Sequence, residues 1–320
     1  MSKKNYASYK YLLLSLLLIT SMQAYALNFD IVTSKTKVTI VYAKDDHKLD
    51  SIAAHLLAAD IERVTGYLPK VITNISQAKG NVILIGTMGS KLIKGVNLNT
   101  SALKGKWESY CLQVVNQPYK NIAQALVITG SDIRGTSYGV FDVSERIGVS
   151  PWYWWADVPV KKRSEIYINS AAQVMDNPAV KYRGIFINDE APAFSGWTKE
   201  KFGGVNHKVY EHMFELLLRL KGNFLWPAMW GNAFNEDDPE NPRLADEYGI
   251  VMGTSHHEPM MRAQKESLSI TTSNRKRKNL PTAQAMSRRA APVKWSMISL
   301  WHRAMATSWA LNRRNAFTPG

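Results

Sequence analysis

The sequence predicts an α/β fold, with a small N-terminal α/β domain followed by a parallel array of β/α units. Between Tyr182 and Met261, three short apolar runs alternate with two amphipathic runs, the pattern of parallel strands joined by helices. Each apolar run ends in a cluster of polar and aromatic residues. Because the carboxyl ends of parallel strands meet at one edge, these clusters predict a site at that edge.

Composition divides the 320-residue chain into four segments. The net charge of +14 is misleading, since residues 267–320 carry ten Lys or Arg and no acidic residue, whereas residues 27–266 carry 27 basic and 26 acidic residues. This confinement of charge argues against a nucleic-acid-binding protein. The predicted segments are a signal peptide (1–26), an N-terminal α/β scaffold domain (27–172), the parallel array (173–266) and a basic tail that does not fold (267–320).

The first 26 residues have the features of a secretory signal. Lys3, Lys4 and Lys10 precede a short apolar segment at residues 11–22, and Ala24-Tyr25-Ala26 matches a small-x-small cleavage site. An uncleaved membrane anchor is the alternative. We expect a secreted or periplasmic protein with no membrane association after cleavage.

The N-terminal domain is predicted from two helical stripes and four strand-like runs. Gly66 and Gly148 mark the helix ends. We find no triad, metal-ligand spacing or phosphate loop, and Cys111, the one cysteine, excludes an intramolecular disulfide. The domain is therefore interpreted as a scaffold. The predicted strands cover residues 37–42, 82–85, 110–115 and 125–129, and the helices cover residues 49–65 and 133–147.

A Trp-rich segment follows at residues 149–159, with Trp152, Trp154 and Trp155 close together. Such density can form a sugar-stacking platform, but it is more typical of a packed connection between domains, which we favour here.

The parallel array is predicted in more detail from turn and helix signals. Gly222 and Gly249 close its two helices, and Pro242 opens the second one. Residues 192–206, which contain three glycines, are predicted to form a loop. The predicted strands are residues 183–187, 223–227 and 250–253, and the predicted helices are residues 209–221 and 242–248.

The first strand ends in Asn188, Asp189 and Glu190. Hydrolysis of a glycosidic bond uses two carboxyl groups roughly 5–9.5 Å apart. Adjacent residues of a strand point to opposite sides, so only one of the two carboxylates faces a pocket fully unless the strand bulges. The structural alternative is that one carboxylate caps the following turn or pairs with Arg183.

The other strand ends supply aromatic and imidazole groups. Trp226 and Trp230 could both fill a core, but Trp230 lies past the strand and is favoured for stacking on a sugar. His256, His257 and Glu258 could bind zinc, yet Pro259 follows and the helical His-Glu-x-x-His spacing is absent. We therefore predict hydrogen bonds to a substrate hydroxyl or carboxylate, and no metal.

Three motifs together resemble glycoside hydrolase family 115. They are Tyr-Arg-Gly-Ile-Phe-Ile-Asn-Asp-Glu at 182–190, Asn-Phe-Leu-Trp-Pro-Ala-Met-Trp at 223–230 and His-His-Glu-Pro-Met at 256–260. The resemblance implies a secreted α-glucuronidase that releases glucuronic acid or its 4-O-methyl ether from xylan. It also implies a (β/α)₈ TIM-type barrel of which this chain holds the first three units, single-step hydrolysis with inversion, no cofactor, and a homodimer for the full-length form.

The resemblance also carries roles to particular residues. Asp189 and Glu190 would be catalytic, although at least one key carboxylate of the family lies beyond the third strand, so the acid and the base stay unassigned. The substrate-binding residues would be Asn188, Trp230, Asn232, His256, His257 and Glu258.

The resemblance stops near Glu266, where family members continue toward a Gly-Asp-Gly-Asp-Glu motif. A basic disordered tail is one explanation for residues 267–320. A shifted reading frame is the other, because the codons of residues 303–308, read from the third base, can encode that motif. A barrel cannot close on three strands, so we expect the chain as written to be inactive. A non-catalytic secreted carbohydrate-binding protein is the alternative function.

Overall fold

The computed structural model describes residues 28–169, 173–187 and 192–253, and over them the chain is a mixed α/β protein. Of these residues, Met229–Ala233 belongs to one compact unit and all the others to a second unit. The predicted signal peptide and basic tail lie outside the described residues, as do the predicted segment boundaries at 172 and 266.

The N-terminal part contains the four predicted strands and two predicted helices, together with further strands and one short helix that the sequence analysis does not predict. Short 3-10 turns lie at Ile75–Gln77 and Ser101–Leu103. Its elements are β1 (Asn28–Val32), β2 (Thr39–Tyr42), α1 (Lys48–Thr65), β3 (Val71–Ile72), β4 (Gly80–Thr87), α2 (Lys91–Lys94), β5 (Tyr110–Asn116), β6 (Ile122–Gly130), α3 (Ile133–Arg146), β7 (Ile166–Asn169) and β8 (Gln173–Met175).

Helix α1 is stabilised by a capping group at each end and by an apolar stripe along one face. The His47 ring accepts a hydrogen bond from the Leu49 N–H at 3.2 Å, which satisfies one of the free donors of the first turn. Leu57 and Ile61 are fully buried one turn apart. Gly66 ends the helix with a φ of 79°, a left-handed conformation that glycine adopts without strain. The helix predicted at residues 49–65 is thus confirmed.

The main sheet of the described residues has the order β3-β2-β4-β6-β5-β8. Strands β3, β2, β4 and β6 are parallel, while β5 and β8 join antiparallel to their neighbours. β1 pairs antiparallel with β7 in a separate two-stranded ladder. Val82, Leu84 and Val127 face one apolar cluster and Ile83 and Ile128 face the other, so both faces of the sheet are covered, as expected for parallel strands.

The second part of the chain forms a small parallel sheet with helices between its strands. Within the described residues the strand order is β11-β10-β9. Every helix among these residues and the N-terminal ones is too short or too polar to cross a membrane. The elements are β9 (Gly184–Phe186), α4 (Ala193–Phe202), α5 (His207–Arg219), β10 (Phe224–Trp226), α6 (Phe234–Asp237), α7 (Glu240–Glu247) and β11 (Val251–Met252).

Two predictions about this part are wrong. Residues 192–206 contain helix α4 rather than only a loop, because Trp197 and Phe202 of that helix pack on the Trp154 ring and Gly203 then ends it at a φ of 81°. Aromatic packing here overrides the weak helix preference of a glycine-containing segment. Helix α7 begins at Glu240, so Pro242 is its third residue, still within the first turn where a missing N–H costs nothing.

One buried carboxylate joins the N-terminal part to the parallel sheet. Glu108 is 2% exposed, and its oxygens accept hydrogen bonds from Arg134 Nε at 2.6 Å, Arg183 Nη2 at 2.5 Å and Asn223 Nδ2 at 2.7 Å. Arg134 lies on α3, Arg183 precedes β9 and Asn223 precedes β10. We call these four residues the Glu108 cluster. Its geometry holds Glu108 at a φ of 51°, which is unfavourable for a residue with a Cβ atom.

Helix α5 is fixed to α1 by a second buried ionic group. The Arg219 guanidinium is 4% exposed and donates to Asp60 Oδ2 at 2.8 Å and Oδ1 at 3.1 Å, and to Glu215 at 2.8 Å. Tyr153 donates its hydroxyl to the same Glu215 at 2.9 Å. The helix that leads into β10 is therefore held against the N-terminal part by paired charges as well as by apolar contacts.

Asp50, in the first turn of α1, is buried without a donor. No donor among the described residues reaches either of its Oδ atoms, and its polar neighbour is the Asp46 carboxyl. Burial raises the pKa of Asp50 to about 8, and the charge and hydrogen bonding of Asp46 add to the shift. At neutral pH Asp50 is thus protonated and can donate to Asp46.

Replacement of Asp50 by Asn should flatten the pH dependence of stability. Because the folded state holds the Asp50 proton up to about pH 8 and the unfolded chain releases it near pH 4, the free energy of unfolding falls as pH rises through that window. The loss is on the order of 4 kcal/mol between pH 5 and pH 8, at about 1.4 kcal/mol for each pH unit. Urea titrations at pH 5 and pH 8.5 measure it. Asp45→Asn, at an exposed position, is the control, and an equal pH slope in wild type and Asp50→Asn would contradict the assignment.

Removal of the Glu108 charge should destabilise the protein much more than removal of an exposed one. Glu108→Gln leaves Arg134 and Arg183 without their carboxylate, which we expect to cost about 3 kcal/mol or more. Glu240→Gln is the matched control, since Glu240 accepts from Arg243 at 2.5 Å on the surface and its loss should cost less than about 1 kcal/mol. Denaturant midpoints compare the two variants, and similar values for both would refute the role of the cluster.

Candidate functional site

The carboxyl ends of β9, β10 and β11 lie at one edge of the parallel sheet. Phe186 is paired with Trp226, and Leu225 with Met252. The Ile187 N–H donates to the Trp226 carbonyl at 2.8 Å, and the Gly253 N–H donates to the Leu225 carbonyl at 3.0 Å. The chain therefore leaves all three strands on the same side, as the sequence pattern predicts.

The sequence-predicted carboxylates and histidines begin directly beyond this edge. Asn188, Asp189 and Glu190 follow Ile187, and the segment with His256, His257 and Glu258 begins after Gly253. All six residues lie outside the described residues. Their assignment as catalytic or substrate-binding groups stays a prediction. The structural support for it is that the chain leaves the sheet at this edge directly before these residues.

Trp230 and Asn232 are described, in the unit Met229–Ala233. Gly231 has a φ of 69°, and the Asn232 N–H approaches the Met229 carbonyl at 3.3 Å, so this segment is a tight turn. The Asn232 side-chain amide donates to the Trp230 carbonyl at 2.9 Å. Trp230 is 45% exposed, which is compatible with stacking on a sugar, whereas one amide donor of Asn232 is already used to close the turn.

Arg183 has a structural partner at the opposite end of β9. Its guanidinium donates to Glu108 and to the Lys221 and Val180 carbonyls. Among the described residues its acidic partner is Glu108, so Arg183 is committed to the amino end of the sheet. The alternative in which Arg183 neutralises a carboxylate at the carboxyl end has no support from these contacts.

The Trp-rich segment is a packing element. The Trp154 ring stacks on His212 with centroids 3.9 Å apart, and the Trp155 indole N–H donates to the His212 carbonyl at 3.2 Å. Trp197 of α4 packs against both indoles. This supports the packed connection over the sugar platform. Burial also lowers the pKa of His212, which disfavours its charged form.

Sequence reasoning does not find a histidine–carboxylate pair on the same side as the strand ends. His207 Nδ1 lies 2.6 Å from Asp238 Oδ2, which also accepts the His207 backbone N–H at 3.1 Å, and Asp238 Oδ1 accepts the Glu240 N–H at 3.0 Å. Partial burial of Asp238 acts to raise its pKa, but the hydrogen bonds from His207 and Glu240 outweigh this and hold the pKa below its usual value.

No group of three or more His, Cys, Asp or Glu side chains that could hold a metal occurs within residues 28–169, 173–187 and 192–253. The chemistry available at the described edge is hydrogen bonding and aromatic contact. Phe186 and Trp226 illustrate the latter, with ring centroids 5.0 Å apart at the last positions of β9 and β10.

Comparison with known proteins finds that this part of the chain is similar to a family of glycoside hydrolases. Residues 175–298 match the model of glycosyl hydrolase family 115, which confirms the resemblance that the three motifs indicate. The match runs to residue 298, so the expectation that the resemblance stops near Glu266 is wrong. No curated protein sequence matches the chain.

One similar solved structure belongs to the same family. The chain is similar to a family GH115 4-O-methyl-α-glucuronidase, BtGH115A, described as having specificity for decorated arabinogalactans, with 33% identity and a TM-score of 0.63 over 73% of this chain. The chain spans 30% of the length of that enzyme. A Streptomyces plicatus β-hexosaminidase mutant with bound GlcNAc and the GH20 β-N-acetylhexosaminidase of Streptomyces coelicolor match at 13% identity and TM-scores of 0.41 and 0.40 over 71% of the chain. That similarity is too low to support any conclusion here.

Proposed function

We propose that the chain is the front part of an exported glycoside hydrolase that releases glucuronic acid or 4-O-methylglucuronic acid from a polysaccharide. The observation that carries the proposal is the common edge of β9, β10 and β11, directly beyond which the three family motifs continue. The family match over residues 175–298 and the similarity to a 4-O-methyl-α-glucuronidase support it.

The three parallel strands are proposed to be the first three of a (β/α)₈ barrel. In the described residues β9 and β11 each pair only with β10, and Ile185 and Phe186 on β9 are 37% and 44% exposed. Further strands would cover these apolar side chains and remove the open edges. Because the chain spans 30% of BtGH115A, we infer that this chain alone does not hydrolyse its substrate.

The proposed mechanism is a single displacement with inversion. One carboxyl group protonates the leaving oxygen, and a carboxylate on the other side of the sugar ring activates a water molecule. Asp189 and Glu190 are proposed for this chemistry or for orienting the sugar and the water. Trp230 would stack on the ring, and His256 or His257 would bind the uronate, with Asn188, Asn232 and Glu258 as further contacts.

Glucuronoxylan is the proposed substrate, as the family resemblance of the motifs implies. A decorated arabinogalactan, the substrate class named for BtGH115A, is a second polysaccharide for the test. Both substrates would present an α-linked uronic acid on a neutral polymer. The exposed indole of Trp230 also fits a protein that binds such a polymer without cleaving it. Release of product separates the two functions, because a carbohydrate-binding protein leaves the polymer intact.

A frame-corrected, full-length version of the protein should release the uronic acid from glucuronoxylan, and the product should first appear as the β-anomer in NMR spectra. Glu190→Gln should lower turnover by about 100-fold or more, the scale of a lost acid–base group, whereas Trp230→Ala should mainly weaken binding. Glu62→Gln, on the exposed side of α1, is the control. Binding of either polysaccharide without product would support the carbohydrate-binding alternative, and wild-type turnover by both Asp189→Asn and Glu190→Gln would remove this strand end from the site.

A further inference from the structure

The His207–Asp238 pair lies on the side of the parallel sheet where the strands end. Helix α5 runs into β10 through residues 220–223, so its first residue, His207, lies at the opposite end, on the side where the strands end. Helix α7 precedes β11 in the same way, and Asp238 accepts the N–H of its first residue. In β/α arrays the active site forms on this side.

The short contact fixes which nitrogen of His207 carries a proton. A carboxylate only accepts hydrogen bonds, so the Nδ1 atom at 2.6 Å from Asp238 must be the donor. In the neutral imidazole the proton is then absent from Nε2, which becomes an acceptor of fixed orientation. No hydrogen bond to Nε2 is found among the described residues, and the His207 side chain is 34% exposed.

We propose that His207 is a further substrate contact, which accepts a hydrogen bond through Nε2 from a hydroxyl group of the polysaccharide backbone. The ligand is assigned to the backbone because an acceptor nitrogen suits a hydroxyl and repels a carboxylate. A position at the start of an outer helix also suits a polymer that extends across the face rather than the single sugar that is released. Asp238 acts as a positioning residue, since it sets the tautomer and the ring plane. This inference rests on the proposed function for its choice of a polysaccharide.

A conservative substitution separates this role from a structural one. In His207→Asn the side-chain amide occupies the place of Nδ1 and can still donate to Asp238, but nothing replaces Nε2. A purely structural His207 would therefore tolerate the change in every assay. His55→Asn is the matched control, because His55 is exposed on α1 and its Nδ1 also contacts an oxygen, the Ser51 carbonyl at 2.7 Å.

The experiment is affinity electrophoresis of the 320-residue chain in gels that contain glucuronoxylan, together with thermal unfolding. We expect wild type and His55→Asn to be retarded equally and His207→Asn to bind threefold to tenfold more weakly, the effect of one hydrogen bond of about 0.7–1.4 kcal/mol. Its melting temperature should match that of wild type. The ¹⁵N chemical shifts of the His207 ring should report a protonated Nδ1, and Asp238→Asn should alter them.

Equal retardation of His207→Asn and wild type would overturn the proposal, and so would a wild-type chain that the polymer does not retard. Neither result bears on hydrolysis by the full-length protein, which tests the proposed function by itself. Weaker binding by His207→Asn, together with a frame-corrected full-length protein that releases no uronic acid, would keep the contact and reject the enzyme.

Discussion

The buried carboxylate of Glu108 is the interaction on which the arrangement of the two sheets depends. A charge that is 2% exposed is stable only with several donors around it, and here the donors come from α3, from the start of β9 and from the start of β10. The carboxylate therefore ties the amino ends of two neighbouring parallel strands to the N-terminal part of the chain. The proposed site lies at the opposite ends of the same strands.

Arg183 and Asp189, which we propose to be catalytic, are six residues apart in sequence, one before β9 and one after it. Arg183 lies before β9 and is committed to Glu108 and to backbone carbonyls. The motif continues past Ile187, at the edge where β10 and β11 also end. In β/α barrels the two ends of the parallel strands divide stabilising and functional roles in this way, which supports the proposed site.

The sequence alone predicts the helices and strands that have strong local signals. Helix α1 has a complete apolar stripe and a terminal glycine, and β4 is a continuous apolar run, so both were predictable. Strand β1 was not, because its partner is β7, more than a hundred residues away. Helix α4 was missed because aromatic contacts with Trp154, rather than local propensity, stabilise it. At the candidate site, the alternation of apolar and amphipathic runs predicts the common edge of the three strands. The Glu108 cluster and the His207–Asp238 pair could not be predicted, because they join residues that are far apart in the sequence and follow no motif.

The central claim is that the carboxyl edge of β9, β10 and β11 binds a uronic acid. The most direct measurement is a crystal structure of the full-length, frame-corrected protein with glucuronic acid bound. The account predicts the sugar at this edge, in contact with residues that follow Ile187 and Gly253 in the sequence. A uronic acid bound at the amino ends of these strands, or against the N-terminal sheet, would contradict it.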